Sequence, residues 1–492
     1  MTSTEYQQLV SRLEKESVRS PGLYRTRLIA LAALGHAYVI TLLLITLVLM
    51  VMAVVSLLDG EYLDASLRLA TSLLSGGMCL AATRLRLPQP EGRMLTRDDA
   101  PQLFGVIDKI RAKLDAPLIH RVVINDVFNA AIFQAPRLGI FGWSHNTLVI
   151  GLPLMQALSR KEFAAILAHE YAHISRHHGR IDAWVHRSRM LWSHVENGMN
   201  QHKAGFVERI LTRFLRWYIP VLNAYTGVRL RQDELEADRI AASVVGRQTM
   251  ADALIAQSLR GRFLEERFWQ GLWSRADHHP APPFLPHATM RTALSRGLSA
   301  DEARFWLMEA LEARADAHDT HPSLRERIVS LDSGSELPPD ANHSAAQSLI
   351  GDLLGGLQTD FDELWLSHNA PAWRLRYHAV SSAHETVKRM EQKPSEQLGP
   401  EEMAHLGLAL DTLGRSEEAL PLLRRAAEHP NGSAEAALAA ARLLKSRDEK
   451  ASDGYMNTAL RRNPALVRQT VAANTCWEHP PAPRIAVQHR VA

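Results

Sequence analysis

The residues with the clearest chemical meaning form one short run, Ala168-His169-Glu170-Tyr171-Ala172-His173, in which two histidines stand four positions apart. On a helix, residues four apart lie on one face, so both imidazoles can reach a single ion. Zinc favours nitrogen ligands, and a neighbouring carboxylate can take a proton from a water that the metal activates. The run therefore predicts a metal-dependent hydrolytic site with His169 and His173 as ligands and Glu170 as the base.

A catalytic zinc keeps three protein ligands, so a third one must come from elsewhere in the chain. In the pattern HExxHxxGxxH, the third ligand is a histidine that follows closely. Here Arg176 stands in place of the glycine and Gly179 in place of that histidine, which excludes the pattern. His177 and His178 leave the face that His169 shares with His173, so we expect them to be solvated or to contact a ligand residue without binding the metal.

A carboxylate from a second helix is the other source of a third ligand, and the run from Arg231 to Asp238 offers several. Glu234 and Asp238 share one helical face, and the small Ala237 between them allows a second helix to approach. Glu234 would bind the metal, and Asp238 would accept a hydrogen bond from a ligand histidine. By spacing alone, a solvated acidic face is equally compatible with this run, and Glu236 competes as the ligand.

The pair HEYAH and ELEAD resembles the HtpX-like and CAAX prenyl protease family of membrane zinc metalloproteases, over roughly residues 20 to 335. In that family the first Glu of ExxAD is the third ligand of one zinc ion, which corresponds here to Glu234. The resemblance implies a zincin-like peptidase domain that hydrolyses peptide bonds in a protein or peptide substrate.

Two further segments carry the same resemblance. Asn129-Ala130 is similar to the NA step that begins an edge strand alongside the substrate. The segment His321-Pro322-Ser323-Leu324-Arg325-Glu326-Arg327 is similar to HPxxxxR, whose His and Arg approach the metal and stabilise the reacting carbonyl. The chain also departs from the family, because the insertion Asp277–Pro286 has no counterpart. The chain has fewer apolar runs than the prenyl protease, which puts a lipidated substrate in doubt.

The elements that must position these residues are predicted to be mainly helices, with a small β-sheet just before the motif. Ser159 and Glu162 form a capping box that begins the helix carrying HEYAH. Alternation and turn residues predict short strands, and helical periodicity continues after the motif. The predicted strands are 121–124, 131–134 and 147–151, and the predicted helices are 98–114, 159–176, 182–202, 206–217, 232–246 and 301–317.

The first ninety residues are of a different kind. No residue is charged from Leu28 to Leu58, which is longer than the ~20 residues that a membrane-spanning helix needs. A second, shorter run from Leu69 to Thr83 completes a predicted transmembrane hairpin if Arg68 and Arg84 extend towards the interfaces. Both flanks are rich in Arg or Lys while the turn is acidic, which predicts two spans with the catalytic domain in the cytoplasm. The family resemblance implies that the membrane is a bacterial inner membrane.

The C-terminal part is helical and rich in Ala, Leu and Arg. One segment matches the spacing of a tetratricopeptide repeat, and a weaker copy follows from Ser433 to Pro464. The repeat implies the bacterial branch of the family and a protein partner; a generic helical hairpin is the alternative. The matching positions are Met403, Leu406, Gly407, Leu410, Ala419, Leu423 and Ala426.

Composition limits the other classes of function. With 56 basic and 53 acidic residues the net charge is +3, which argues against nucleic-acid binding through bulk charge. Two cysteines cannot form a disulfide framework. The expected domains are an N-terminal cytoplasmic arm (1–27), the transmembrane hairpin (28–87), the zinc peptidase domain (93–335), a helical repeat region (343–470) and a disordered tail (471–492).

The sequence therefore predicts a membrane-anchored zinc endopeptidase that acts on unfolded or membrane-proximal proteins in quality control. The partners would be a protein substrate and the lipid bilayer. A catalytically silent membrane adaptor and a hydrolase of non-peptide substrates are the alternatives.

Overall fold

The structure, a computed structural model, describes residues 1–83, 90–138, 141–175, 184–185, 188–189, 192, 206–317, 319–339, 342–394 and 397–466. Within these ranges the chain is mainly helical with one small sheet, which confirms the predicted fold class at this level. His177, His178, most of the predicted helix 182–202 and the tail 471–492 lie outside the described residues.

The helices account for most of the described chain. In chain order they are α1 (Ser3–Arg19), α2 (Pro21–Leu58), α3 (Tyr62–Thr83), α4 (Pro101–Leu114), α5 (Leu152–Ala157), α6 (Arg160–Ile174), α7 (Phe206–Val245), α8 (Arg247–Phe263), α9 (Gln270–Trp273), α10 (Pro286–Arg296), α11 (Ala300–Glu312), α12 (Leu324–Ser330), α13 (Ala345–Leu349), α14 (Gly351–Met390), α15 (Pro400–Thr412), α16 (Ser416–Glu428), α17 (Ala434–Leu444) and α18 (Glu449–Arg462). A π-helical turn Leu264–Trp269 and a 3-10 turn Ser274–Asp277 flank α9.

The described residues separate into two compact units. The first contains residues 1–259 and 299–351, and the second contains residues 260–298 and 352–466. The second unit thus includes the segment Asp277–Pro286, which the sequence assigned to the middle of the peptidase domain. The domain bounds drawn from the sequence remain predictions.

The first unit begins with a helix where the sequence predicted an arm. Thr2 and Glu5 form a capping box at the start of α1. Its buried residues follow a helical period along one face, so α1 packs as an amphipathic helix. The buried face consists of Tyr6, Val10, Leu13 and Ser17. Its three apolar residues join residues of α2 and α7 in a shared apolar core.

Helix α2 is long and apolar enough to cross a membrane, and it is the one such helix among the described residues. Helix α3 lies antiparallel beside its C-terminal half, where the Ser72 hydroxyl donates to the carbonyl of Thr46 at 3.0 Å. The pair forms a helical hairpin, and the crossing of a membrane by α3 remains a prediction.

The sheet has four strands in the order β1-β2-β4-β3: β1 (Arg93–Leu95), β2 (Arg121–Asn125), β3 (Ala130–Leu138) and β4 (Phe141–Gly151). Strand β2 runs parallel to β4, and the two outer strands are antiparallel to their neighbours. The sequence predicted the three longer strands, with β3 and β4 too short, and did not predict β1. Among the described strands β3 pairs only with β4, so it is an edge strand of the described sheet.

Helices α6 and α7 carry the motif residues and pack against each other. The capping box at α6 is confirmed: the amide of Ser159 donates to Glu162 at 2.6 Å, and the amide of Glu162 donates to the Ser159 hydroxyl at 3.3 Å. Helix α7 is continuous across Pro220, where the sequence predicted two separate helices.

In the second unit, α14 holds the inserted segment in place. Arg376 donates two hydrogen bonds to Asp277, at 2.6 and 3.1 Å, and the Trp373 ring donates to the carbonyl of His279 at 2.9 Å. Asp362 accepts from the first amides of α10. The helix pairs α15–α16 and α17–α18 follow and pack in succession. Their identity as tetratricopeptide repeats remains a prediction.

Candidate metal centre and active site

Helices α6 and α7 bring the predicted ligands to one point. The ligand atoms of His169, His173 and Glu234 all lie within 4.8 Å of one another. The two Nε2 atoms are 3.1 Å apart, and the carboxylate oxygens of Glu234 lie 3.2 Å from Nε2 of His173 and 3.5 Å from Nε2 of His169. His169 and Glu234 are buried, so α6 and α7 face each other through this group.

This group fits a tetrahedral cation. Two atoms that bind one zinc at about 2.0–2.1 Å with a tetrahedral angle lie about 3.3 Å apart. The two Nε2 atoms, 3.1 Å apart, are close to this separation, and each nitrogen has a different oxygen of Glu234 at a similar distance. Oε2 of Glu234 is buried and has no well-aligned hydrogen bond within the described part of the chain. Two imidazoles and one carboxylate are a ligand set typical of catalytic zinc. The arrangement can therefore hold a metal.

His169 is oriented from behind. Its Nδ1 lies 2.9 Å from Oδ1 of Asp238, which is completely buried. Asp238 in turn accepts two hydrogen bonds from Arg327 on α12, at 2.7 and 2.6 Å. A carboxylate that binds the far nitrogen of a ligand histidine fixes its ring and leaves Nε2 free for a metal. These contacts allow Asp238 to orient His169, and this role remains a prediction.

The charges of the group follow from these contacts. Burial alone would lower the pKa of His169, but Asp238 and Glu234 outweigh it and raise the pKa to about 10. Burial would raise the pKa of Glu234, but the three nearby histidines hold it well below its usual value. Against its own burial, Asp238 beside Arg327 has a pKa of about 2. Both carboxylates are therefore anionic, and a proton and a metal compete for the same nitrogen of His169.

Glu170 lies next to His169 on α6 but outside the group of ligand atoms. Burial raises the pKa of its carboxyl group, which makes it a better proton acceptor than an exposed glutamate. The position and the raised pKa both suit a general base.

The segment before α12 brings two more predicted residues to the site. Nδ1 of His321 lies 2.9 Å from Oε2 of Glu234, and the guanidinium of Arg327 lies 3.7 Å from the same oxygen. Ser323 and Glu326 form the capping box that begins α12, so His321 lies just before this helix and Arg327 lies within it. The closest contacts of Arg327 are with Asp238, so its predicted action on a carbonyl remains a prediction.

Comparison with known proteins agrees with this geometry, because residues 105–334 match peptidase family M48. We refer to these residues as the M48 domain, after the family that they match. A curated relative, Protease HtpX homolog 2 of Methanosarcina mazei, is 24% identical over 255 residues, which cover 49% of this chain and 74% of that protein. No solved structure matches. The predicted resemblance to HtpX-like metalloproteases is thus confirmed, and the M48 domain includes every residue named above.

The edge of the sheet lies beside the motif helix of the M48 domain. Strand β3 contacts α6, and its first residue, Ala130, is buried and pairs with Ile150. Asn129 precedes it, and its carbonyl accepts from the amide of Gly151 at 2.7 Å. The predicted step Asn129–Ala130 therefore begins an edge strand, as the resemblance implies. Substrate binding there is a proposal.

Sequence reasoning missed one connection to the M48 domain. Arg231 on α7 donates to the carbonyl of Asp319, two residues before His321, and to the carboxylate of Glu14 on α1, both at 2.7 Å. The neighbouring Gln232 donates to the hydroxyl of Ser17 at 2.8 Å. Helix α1 thereby contacts the part of α7 that carries Glu234. The capping box at Thr2 and the apolar period of α1 were the available signals.

Proposed function

We propose that this protein is a membrane-anchored zinc endopeptidase with His169, His173 and Glu234 as metal ligands and Glu170 as the base. The observation that carries the proposal is the meeting of these three ligand side chains from two helices, with a glutamate of raised pKa beside them. The match to an M48 family and to a protease homologue supports the same conclusion.

A zinc ion held by His169, His173 and Glu234 would act as a Lewis acid, polarising the scissile carbonyl and increasing the acidity of water. Glu170 takes a proton from the attacking water and passes it to the leaving amine. His321 donates to the carbonyl oxygen as negative charge develops on it. Asp238, paired with Arg327, keeps His169 in the tautomer that presents Nε2 to the metal.

The substrate is a segment of extended polypeptide. The outer edge of β3 pairs with no other described strand, and β3 lies next to α6, so a peptide can add to the sheet beside the base. Ile132, Phe133 and Gln134 of this strand are half-buried or exposed. Strand addition recognises the backbone of the peptide, which favours unfolded proteins without a strict sequence. This chemistry suits protein quality control.

The membrane anchor consists of α2 and, in this proposal, α3. The antiparallel pairing of the two helices supports a hairpin whose ends lie on the same side, which we take to be the cytoplasm from the flanking charges. The successive helix pairs α15–α16 and α17–α18 support a repeat region that binds a protein partner.

The test is digestion of casein by the full-length protein in detergent, with and without a chelator. We expect cleavage that the chelator stops and added zinc restores. The same preparation of Glu170→Gln controls for contaminating proteases. A wild-type protein that binds zinc but leaves casein intact would favour the silent adaptor, and cleavage that resists the chelator would exclude the metal mechanism.

A further inference from the structure

The contacts of α2 change abruptly along its length. In its first half, Tyr24, Leu28 and Ala32 are buried in the core shared with α1 and α7. Beyond Tyr38, large apolar side chains are exposed almost without interruption: Ile40, Leu43, Leu44, Ile45, Leu47, Val48, Met50, Val51, Met52, Val54, Val55, Leu57 and Leu58. Only the second half thus offers the surface that a bilayer requires.

The length of this exposed part agrees with the thickness of a membrane. The hydrocarbon core is about 30 Å thick, or about 20 helical residues. Counting back about 20 residues from Asp59, the first charged residue after the run, reaches Val39. Burial and length therefore place the same boundary of the hydrocarbon core, next to Tyr38.

Helix α7 reaches the same boundary from the catalytic side. Tyr24 donates a hydrogen bond to the carbonyl of Tyr225. Further along α2, the Tyr218 hydroxyl donates to the carbonyl of Leu31 at 3.1 Å, and Phe214 stacks on Tyr38 with ring centroids 4.3 Å apart. Residues later in α2 contact residues earlier in α7, so the two helices are antiparallel.

The packing at this level is close. A side chain at Gly35 would place its Cβ 2.3 Å from the hydroxyl oxygen of Tyr218, so only glycine permits this approach. Arg213 and Arg216 are exposed here, and Trp217 is 56% exposed. Cations and tryptophan are the side chains that anchor helices at a membrane interface.

The two helices give the height of the active site above this boundary. From Phe214 to Glu234, α7 rises about 30 Å at ~1.5 Å per residue. From Tyr38 back to Pro21, α2 rises about 26 Å by the same measure, and there α1 contacts Gln232 through Ser17. A typical tilt of about 20° shortens either height by less than a tenth.

From these heights, and resting on the proposed function, we propose that the first unit holds its active site about 26–30 Å above the membrane boundary. This height sets a minimum distance between the membrane and a peptide bond that can be cut. Extended polypeptide spans about 3.3–3.6 Å per residue, so about eight residues are needed to reach the site. A peptide bond in a protein embedded in the same membrane is cut only when it lies at least that far from the end of its span. Among membrane proteins, the substrates are therefore those with long unfolded tails or loops, while bonds close to the bilayer are protected.

The first experiment uses the full-length protein in liposomes with a series of single-span substrates. Neutral Gly/Ser linkers of 2 to 20 residues separate the span from one unstructured cleavable segment, and the same segment without a span is the soluble control. We expect the soluble segment to be cut, linkers shorter than about eight residues to protect the tethered one at least tenfold, and longer linkers to permit cleavage. Equal rates at all linker lengths, or no cleavage of any tethered substrate, would overturn the proposed minimum distance. Cleavage of the soluble control would show in both cases that the protein is still an active peptidase. Loss of cleavage of the soluble control as well would instead reject the proposed function.

A second measurement tests the boundary without any activity. Lipids brominated near the headgroup quench tryptophan at that depth. We expect the quenched part of the emission to fall in Trp217→Phe and to remain in Trp306→Phe, because Trp306 is buried in α11. Equal quenching in wild type and Trp217→Phe would place α7 away from the membrane and contradict the height derived from the helix lengths.

Discussion

At the scale of single residues, Glu170 separates metal binding from chemistry. Glu170→Gln keeps nearly the same shape and removes no ligand, so the bound metal and the fold should persist. Peptide cleavage should fall by about 10²–10⁴-fold, as is typical when a general base is lost. Metal analysis and casein digestion of the same preparation measure both effects.

His169→Ala is the control for that experiment. It removes a ligand, so it should lose the metal as well as the activity. Near wild-type cleavage by Glu170→Gln with the metal bound would show that the base lies elsewhere.

The choice of the third ligand is a second question at this scale. Glu234→Gln should weaken metal binding strongly, because its carboxylate lies 3.2 and 3.5 Å from the two ligand nitrogens. Glu236→Gln should leave metal binding unchanged, because Glu236 is only half-buried and is not in the ligand group of the described residues. Titration of each apo-protein with zinc compares the affinities, and equal losses would contradict the assignment.

The local part of the site could be predicted because helical spacing fixes it. His169 and His173 share a face of α6, and the face of α7 with Glu234 and Asp238 follows from the same period. The paired contact of Arg327 with Asp238 could not be predicted in this way. It joins residues on different helices, and its geometry depends on tertiary packing that no sequence period encodes.

At the scale of elements, the helix pair α15–α16 depends on a close approach at Gly407. A Cβ there would lie 2.7 Å from Cγ and 2.8 Å from Cδ2 of Leu423, with the backbone of Leu423 only slightly farther away. Gly407→Ala should therefore destabilise the second unit by about 1–3 kcal/mol through overpacking. Denaturant titration of the full chain measures the change.

Gly454 in α18 is the matched control, because a Cβ there meets no atom within 4 Å. Gly454→Ala should be neutral or stabilise by up to about 1 kcal/mol, since alanine favours the helix. If both variants shift the midpoint equally, the close contact at Gly407 is not a determinant of stability.

The start of α10 should make the second unit sensitive to acid. Burial lowers the pKa of His287 to about 4, whereas in the unfolded chain it is about 6.5. Between these values the unfolded state binds the extra proton, so stability present above pH ~6.5 is lost as the pH falls to ~4, by up to about 3 kcal/mol. The raised pKa of Asp362, a result of its burial, acts in the opposite direction.

His287→Gln isolates this contribution because it removes the titrating ring and keeps Asp362. In denaturant titrations, the unfolding free energy of the wild type minus that of the variant should fall as the pH is lowered from 7 to 4.5. If the unfolding free energies of wild type and variant change equally with pH over that range, the pKa of His287 is not lowered in the folded state.

The elements that the sequence predicted least well are those that depend on distant partners. Helix α7 continues through Pro220 because it packs on α2 and α6, although local propensity favours a break there. Strand β1 has three residues and exists by pairing with β2. Helix α1 was predictable in principle from its capping box and period, but its contacts with α7 were not.

At the scale of the whole molecule, the proposed transmembrane hairpin of α2 and α3 would determine which side of the membrane holds the first unit and its metal site. Helix α1 packs on α7 before α2 begins, and the sheet and α6 follow after α3. In the proposed topology, both flanks therefore lie on the same side. The flanks carry Arg and Lys and the turn between the helices is acidic, which predicts that the flanks lie in the cytoplasm.

We therefore expect a reporter fused after Arg97 to be active only if it works in the cytoplasm. Green fluorescent protein fused there should fluoresce, and alkaline phosphatase, which needs an oxidising compartment, should be inactive. Fusion after Asp59, in the turn, should reverse both results, because the chain there has crossed the membrane once. An active phosphatase after Arg97 would mean that α3 does not return the chain to the starting side or that the hairpin is inverted. In either case the charge argument would be wrong, while the metal site, which depends on α6 and α7, would stand.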